Sequence, residues 1–205
     1  MVSSYLVIAR DGAAQIEVKR SKFLCTLQRV STEDAARAVV ERLRKEHWDA
    51  RHHCSAFVLG PDAAVQRSSD DGEPSGTAGA PMLEVLRGAG VSDVVAVVTR
   101  WFGGTLLGAG GLVRAYGDAV RAALDEVGIL ERRRLLTFDL SVSHADAGRL
   151  ESDLRSRGID VLGTTYDARA VLRVAVPEAA AFQALLAELS AGSVTAVPVG
   201  ELWTP

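Results

Sequence analysis

A cysteine follows two histidines in Arg51-His52-His53-Cys54. Those are the residue types of a thiol nucleophile with its base, or of part of a metal site. On a strand, neighbours alternate, so His52 and Cys54 share one face and His53 takes the other. Two ligands on one face make half a metal site at best. The competing reading is a buried, inert cysteine beside one hydrogen-bonded histidine. Downstream, Ser68-Ser69-Asp70-Asp71-Gly72-Glu73-Pro74-Ser75-Gly76-Thr77 puts three carboxylates within four residues. Asp70, Asp71 and Glu73 could hold a hard cation, and with His52 or Cys54 they could furnish a hydrolytic centre. They equally suit a loop that bonds its own backbone and leads into a helix, or one that pairs with Arg100 or Arg114. EF-hand spacing and the G-x-S-x-G nucleophile elbow are both absent, so no metal and no cofactor is assigned.

A third stretch runs from Arg100 to Arg114 through Trp101, Gly103, Gly104, Gly108, Gly110 and Gly111, and on to Tyr116. Glycine lets backbone N–H groups approach a ligand closely, and a helix N-terminus offers free donors with a partial positive charge. Together they suit an anion. Arg114 is expected in the first helical turn, where a cation opposes the macrodipole unless an anion binds there. The alternative partner for Arg114 is Asp118, four residues on. Named nucleotide motifs fail: no Lys completes a Walker A loop, and Val113 stands where G-x-G-x-x-G needs glycine. Arg20-Ser21-Lys22-Phe23 adds two cations at a strand start. They would complete a basic patch if the fold joins them to Arg100 and Arg114.

The elements that must position these residues read as follows. Strands are expected over 5–9 and 14–18, around the turn Asp11-Gly12, and over 23–30. Ser31 is the expected N-cap of a helix, with Asp34 as its capping-box partner and Ala36, Val39, Val40 and Leu43 on its apolar face. A strand over 55–59 precedes a long polar loop, 60–76. A short helix over 81–87 follows, then the β-branched run 94–99, a strand buried on both faces. A helix over 112–127 closes at Gly128. The charged run 131–134 marks a boundary, giving domains 1–133 and 134–205. The second domain reads strand 135–142, helix 144–157 capped by Ser143, strands 159–166 and 168–176, helix 178–189 and strand 193–202. This βαββαβ order is ferredoxin-like, and the fold class is α+β.

With 205 residues, 48% hydrophobic and 24% charged, the chain has room for two cores. Its net charge of −3 lies in the second domain, where 6 Lys and Arg face 9 Asp and Glu; the first domain balances 17 against 17. An anion site must therefore be local to the first domain, and the second repels a phosphate backbone on average. No run of 18 apolar residues predicts a membrane span, and the N-terminus lacks the charged region of a signal peptide. Two cysteines are too few for a disulfide framework, so free thiols in a reducing cytoplasm are expected.

The motifs Arg20-Ser21-Lys22-Phe23, His52-x-Cys54, Ser69 to Gly79, Val98-Thr99-Arg100-Trp101-Phe102-Gly103-Gly104, Leu107-Gly108 and Gly110 to Tyr116 occur in the order that marks one family. Over roughly residues 18–125 the chain resembles the IMPACT/YigZ family, bacterial two-domain type. The resemblance implies a left-handed β-α-β first domain, like domain IV of elongation factor G and a small-subunit ribosomal protein. The second domain would be similar to domain V of that factor. The extra N-terminal domain of the eukaryotic members has no counterpart in these residues. By analogy of fold, the resemblance implies a translation-associated binding protein that contacts RNA or the ribosome. Arg20, Lys22, Arg100 and Arg114 would meet phosphates, Trp101 or Tyr116 would stack on bases, and Gly103, Gly104, Gly110 and Gly111 would admit the backbone. His52, Cys54, Asp70, Asp71, Glu73, Ser75 and Thr77 form the rest of the signature. Two readings stay open beside it: a protein-partner regulator of translation, and a small hydrolase using the Asp/Glu-rich loop. A binding protein is expected ahead of an enzyme, with no membrane partner.

Overall fold

The computed structural model describes residues 2–204, and the chain divides into two units between Glu131 and Arg132. The first unit contains β1 (Ser4–Ile8), β2 (Gly12–Val18), β3 (Ser21–Arg29), α1 (Glu33–Glu46), β4 (His52–Leu59), β5 (Val65–Ser69), α2 (Gly79–Gly88), β6 (Val94–Trp101) and α3 (Ala109–Val127). Its sheet runs β2-β3-β6-β4-β5 with every neighbouring pair antiparallel. β3 and β4 both pair with β6 and so run in the same sense, joined through α1.

The apolar run predicted as a two-faced strand is β6, at the centre of this sheet. Val94, Ala96 and Val98 pack into a core shared with α2 and α3; Val95 and Val97 pack with Ala36, Val39 and Leu43 of α1. Alternation along one strand thus serves two helical layers. Cys25 and Cys54 flank Val98 on either side, buried and free.

Three local expectations shift. The α1 cap is Thr32, one residue after Ser31, and its side chain accepts from the Ala35 N–H at 3.1 Å. The long polar loop contains a strand, β5, which pairs with β4 at the sheet edge. Val65-Gln66-Arg67-Ser68-Ser69 carries no apolar alternation because an exposed edge does not require it. α3 begins at Ala109, running through Gly110 and Gly111, with Gly108 as its cap at φ 74°. Arg114 therefore sits in the second turn and not the first, which removes the macrodipole conflict expected of it.

β7 (Ile129–Val142) leads into the second unit, which continues with α4 (His144–Ser156), β8 (Asp160–Tyr166), β9 (Ala170–Val176), α5 (Ala179–Ser190) and β10 (Ala196–Trp203). Its strands run β10-β7-β9-β8, all antiparallel, over a core including Phe138, Leu140, Leu154, Leu172 and Phe182. This is the βαββαβ arrangement expected. Ser143 caps α4 as predicted, accepting from the Asp146 N–H at 3.2 Å. Within the first unit the Ala9 N–H donates to Gly128 O, just before β7, at 2.9 Å.

Candidate functional site

The signature residues meet because β6 ends where β3 and β4 begin. Arg100 stands opposite Phe23 on one side and His52 on the other, and Trp101 stands opposite Lys22. Alternation sends Arg100 towards the α2/α3 layer and Trp101 towards α1.

On the α2/α3 side lies a closed polar network. Arg100 is 6% exposed, and its guanidinium donates to Glu73 Oε1 at 2.5 Å. It lies over the rings of Phe23 and Phe102, 5.3 and 5.8 Å from their centroids. Tyr116, wholly buried, donates to the same Glu73 oxygen at 2.8 Å. The Cys54 thiol reaches the Tyr116 hydroxyl at 3.3 Å and the Asp70 carbonyl at 3.0 Å. Burial pushes the Cys54 thiol up to about 12 and raises the Tyr116 hydroxyl above its ordinary range. A thiol held neutral this way is inert. His52 and Cys54 share a face as predicted, while His53 faces α1, where its Nε2 lies 3.1 Å from His47 O.

The acidic loop uses its carboxylates on protein donors. Asp70 accepts from the N–H groups of Gly76 (2.7 Å), Gly79 (2.8 Å) and Ala78 (3.1 Å). Burial works against its charge, but these three bonds outweigh it and hold the carboxyl below its usual range. Asp71 accepts from the His53 N–H at 2.7 Å and from Arg44 at 2.9 Å, and its carbonyl lies 2.8 Å from His52 Nδ1. Thr77 closes the next turn by donating to Pro74 O at 2.6 Å; Ser75 is exposed. The three carboxylates serve three different sets of donors. Among the described residues no group of three or more His, Cys, Asp or Glu is placed to hold a metal ion.

The exposed part of the signature is different in kind. Val18 pairs with Ser21, so Lys19 and Arg20 form a two-residue turn, at φ 47° and 65°. Such turns ordinarily select Asn-Gly. Side chains in this left-handed region cost roughly 1–2 kcal/mol each. Gly103 shows how the turn is held. A Cβ there would overlap the backbone of Arg20 and Ser21, and the Gly103 N–H donates to Ser21 Oγ at 3.0 Å. The glycine is thus required by contact with the turn's backbone. Lys19, Arg20 and Lys22 are exposed, and none pairs with a carboxylate among the described residues; Arg20 reaches only Thr105 Oγ1, at 3.5 Å. Thr105 belongs to the segment leading into α3, whose first turn, with Gly110 and Gly111, has no acidic residue and no side-chain cap.

Several sequence expectations are redistributed. Arg100 is enclosed and neutralised by Glu73, so it does not face a phosphate. Tyr116 is buried, so it does not stack on a base. Asp118 pairs with Arg121 at 2.8 Å, leaving Arg114 exposed over a cleft of about 550 Å³ between α2 and α3, with Val85 and Gly117 in its lining. Trp101 is partly buried, its indole N–H donating to Asp49 at 2.9 Å. Thr105 and Lys19 join the site without having been singled out, and Phe102 was quoted only as part of a motif; the turn between two predicted strands was the available signal for Lys19.

Residues 19–124 match the Impact N-terminal domain, and residues 140–193 match a domain of unknown function (DUF1949). The IMPACT family member YigZ of Escherichia coli (strain K12) is 42% identical over 204 residues, covering 98% of this chain and 100% of its own. The chain belongs to the IMPACT family. A second relative, IMPACT family member YvyE of Bacillus subtilis (strain 168), is 46% identical over 155 residues, 76% of this chain and 71% of its own. A crystal structure described as that of an hypothetical protein superposes with a TM-score of 0.65 at 40% identity, covering 97% of this chain and 98% of its own. In this IMPACT-family chain the signature therefore has two physical parts: a buried network around Arg100 and Glu73, and an exposed cationic turn seated on Gly103.

Proposed function

We propose that this IMPACT-family chain is a translation-associated binding protein that contacts RNA, free or in the ribosome, through the Lys19–Lys22 turn and the start of α3. The observation that carries this reading is the turn itself. Two cations occupy backbone positions that favour Asn and Gly, and Gly103 holds them there. Strain kept at an exposed position points to use of the side chains. Arg20 and Lys22 supply phosphate contacts, and the uncapped first turn of α3 adds N–H donors beside them. Arg114, in the second turn of α3, is a further exposed cation on that helix. The Asp/Glu-rich loop supports the fold in this reading, since its carboxylates already hold Arg100, Tyr116, Arg44 and backbone N–H groups. Free, buried Cys25 and Cys54 fit a reducing cytoplasm. Among the described residues no helix is long and apolar enough to cross a membrane.

The test is RNA affinity at low and moderate salt for the wild type, Arg20→Ala/Lys22→Ala and Arg114→Ala. Wild-type affinity should fall with salt, and the variants should bind more weakly with a shallower slope. Capture of a partner that survives nuclease and ignores these substitutions would instead favour a protein-partner regulator.

A further inference from the structure

On the α1 side of the same sheet end, Trp48 is 82% exposed. A single exposed apolar residue is ordinary, but this one has a particular setting. It lies in the turn between His47, whose ring meets Trp101 edge-on at 5.4 Å, and Asp49, which accepts from the Trp101 indole. Among the described residues no hydrogen bond or ring contact engages the Trp48 indole itself. The cations nearby stand out from the rest of α1. Arg37, Arg42 and Arg44 are each paired with a carboxylate. Lys45, three residues before Trp48, Arg51 just before β4, and Lys22 opposite Trp101 are exposed, and no described side chain pairs with them. The neighbouring acids are taken: Asp49 by Trp101 and Glu46 by Arg42.

We propose that Trp48, in the turn whose His47 and Asp49 hold Trp101, together with the exposed cations Lys22, Lys45 and Arg51 on the adjoining elements, is a stacking platform for unpaired RNA bases. An indole offers a π-face that every base can stack on, and the surrounding cations are complementary to the backbone linking those bases. A duplex keeps its base faces inside the stack, so it would gain nothing from Trp48. Lys22 lies between this platform and the Arg20 turn, so one strand could touch both. This inference rests on the RNA reading above and narrows it to single-stranded RNA.

The experiment measures binding of a labelled oligouridine and of an RNA hairpin duplex to the wild type, Trp48→Ala, Trp48→Phe and Arg20→Ala, with melting temperatures as the control for folding. Trp48→Ala should weaken oligouridine binding by about 5- to 150-fold. Trp48→Phe should recover part of that loss, and duplex binding and melting should not change. Oligouridine affinity equal to wild type in Trp48→Ala overturns the platform; if Arg20→Ala is weak in the same assay, the RNA reading survives it. Wild-type protein that binds neither RNA overturns both. Preference for the duplex, or nuclease-resistant capture of a protein that depends on Trp48, overturns the assigned occupant.

Discussion

Arg100 and Glu73 show how far residue types alone can mislead about a site. An arginine at the end of a buried strand, before a glycine-rich segment, reads naturally as an anion ligand. Its actual partner is a glutamate in the acidic loop, a pairing that the sequence offered only as one option. Burial decides between them, and burial depends on where α3 puts Tyr116. Arg100→Ala should leave Glu73 enclosed without its cation, costing roughly 3–5 kcal/mol, read as a shifted urea midpoint. Arg100→Met with Glu73→Gln should recover much of that loss. Asp70→Ala should free three backbone N–H groups and cost about 1–3 kcal/mol by the same measurement. The folded Asp70 carboxyl titrates below its unfolded value, so its stabilisation is present above that value and lost as pH falls through the folded one. For His53 it is burial that lowers the pKa, so the fold favours neutral imidazole. The His53 contribution is complete above the unfolded value of about 6.5 and is lost as pH falls towards the folded one. Stability measured from neutral pH downward should therefore fall less steeply in His53→Gln than in the wild type.

At the scale of elements, strong periodicity was legible and weak periodicity was not. β6 announces itself through an unbroken β-branched run, and the second unit through evenly spaced helices and strands. β5 was lost in a polar loop, because an edge strand with exposed side chains needs no apolar pattern. The start of α3 was placed late because Gly110 and Gly111 read as loop. That slip moved Arg114 by a turn and gave it a conflict with the macrodipole that it does not have. The β2–β3 turn carries the sharpest prediction at this scale. Replacing Lys19-Arg20 with Asn-Gly should relieve left-handed strain and raise stability by about 1–3 kcal/mol, while lowering RNA affinity. A variant that is more stable and binds RNA unchanged would remove the functional reason for the strain. Gly103→Ala should displace the turn, because the new methyl would meet the Arg20–Ser21 backbone.

At the scale of the whole molecule, the α+β fold class could be read from the order of elements, and family membership from motifs in a fixed order. The division of labour within the signature could not. The same signature motifs serve as a buried strap, a glycine seat and an exposed cationic turn, and only packing separates them. The net charge of −3 confines any RNA contact to a local patch, so few phosphates can be involved and the salt slope should be modest. The central measurement is therefore RNA affinity against salt for the wild type and Arg20→Ala/Lys22→Ala, both checked for an unchanged melting temperature. The expected result is a wild-type slope that shrinks by about 0.7 for each phosphate contact removed, with weaker binding throughout. Equal affinities and equal slopes in the two proteins would contradict an RNA contact at the Lys19–Lys22 turn.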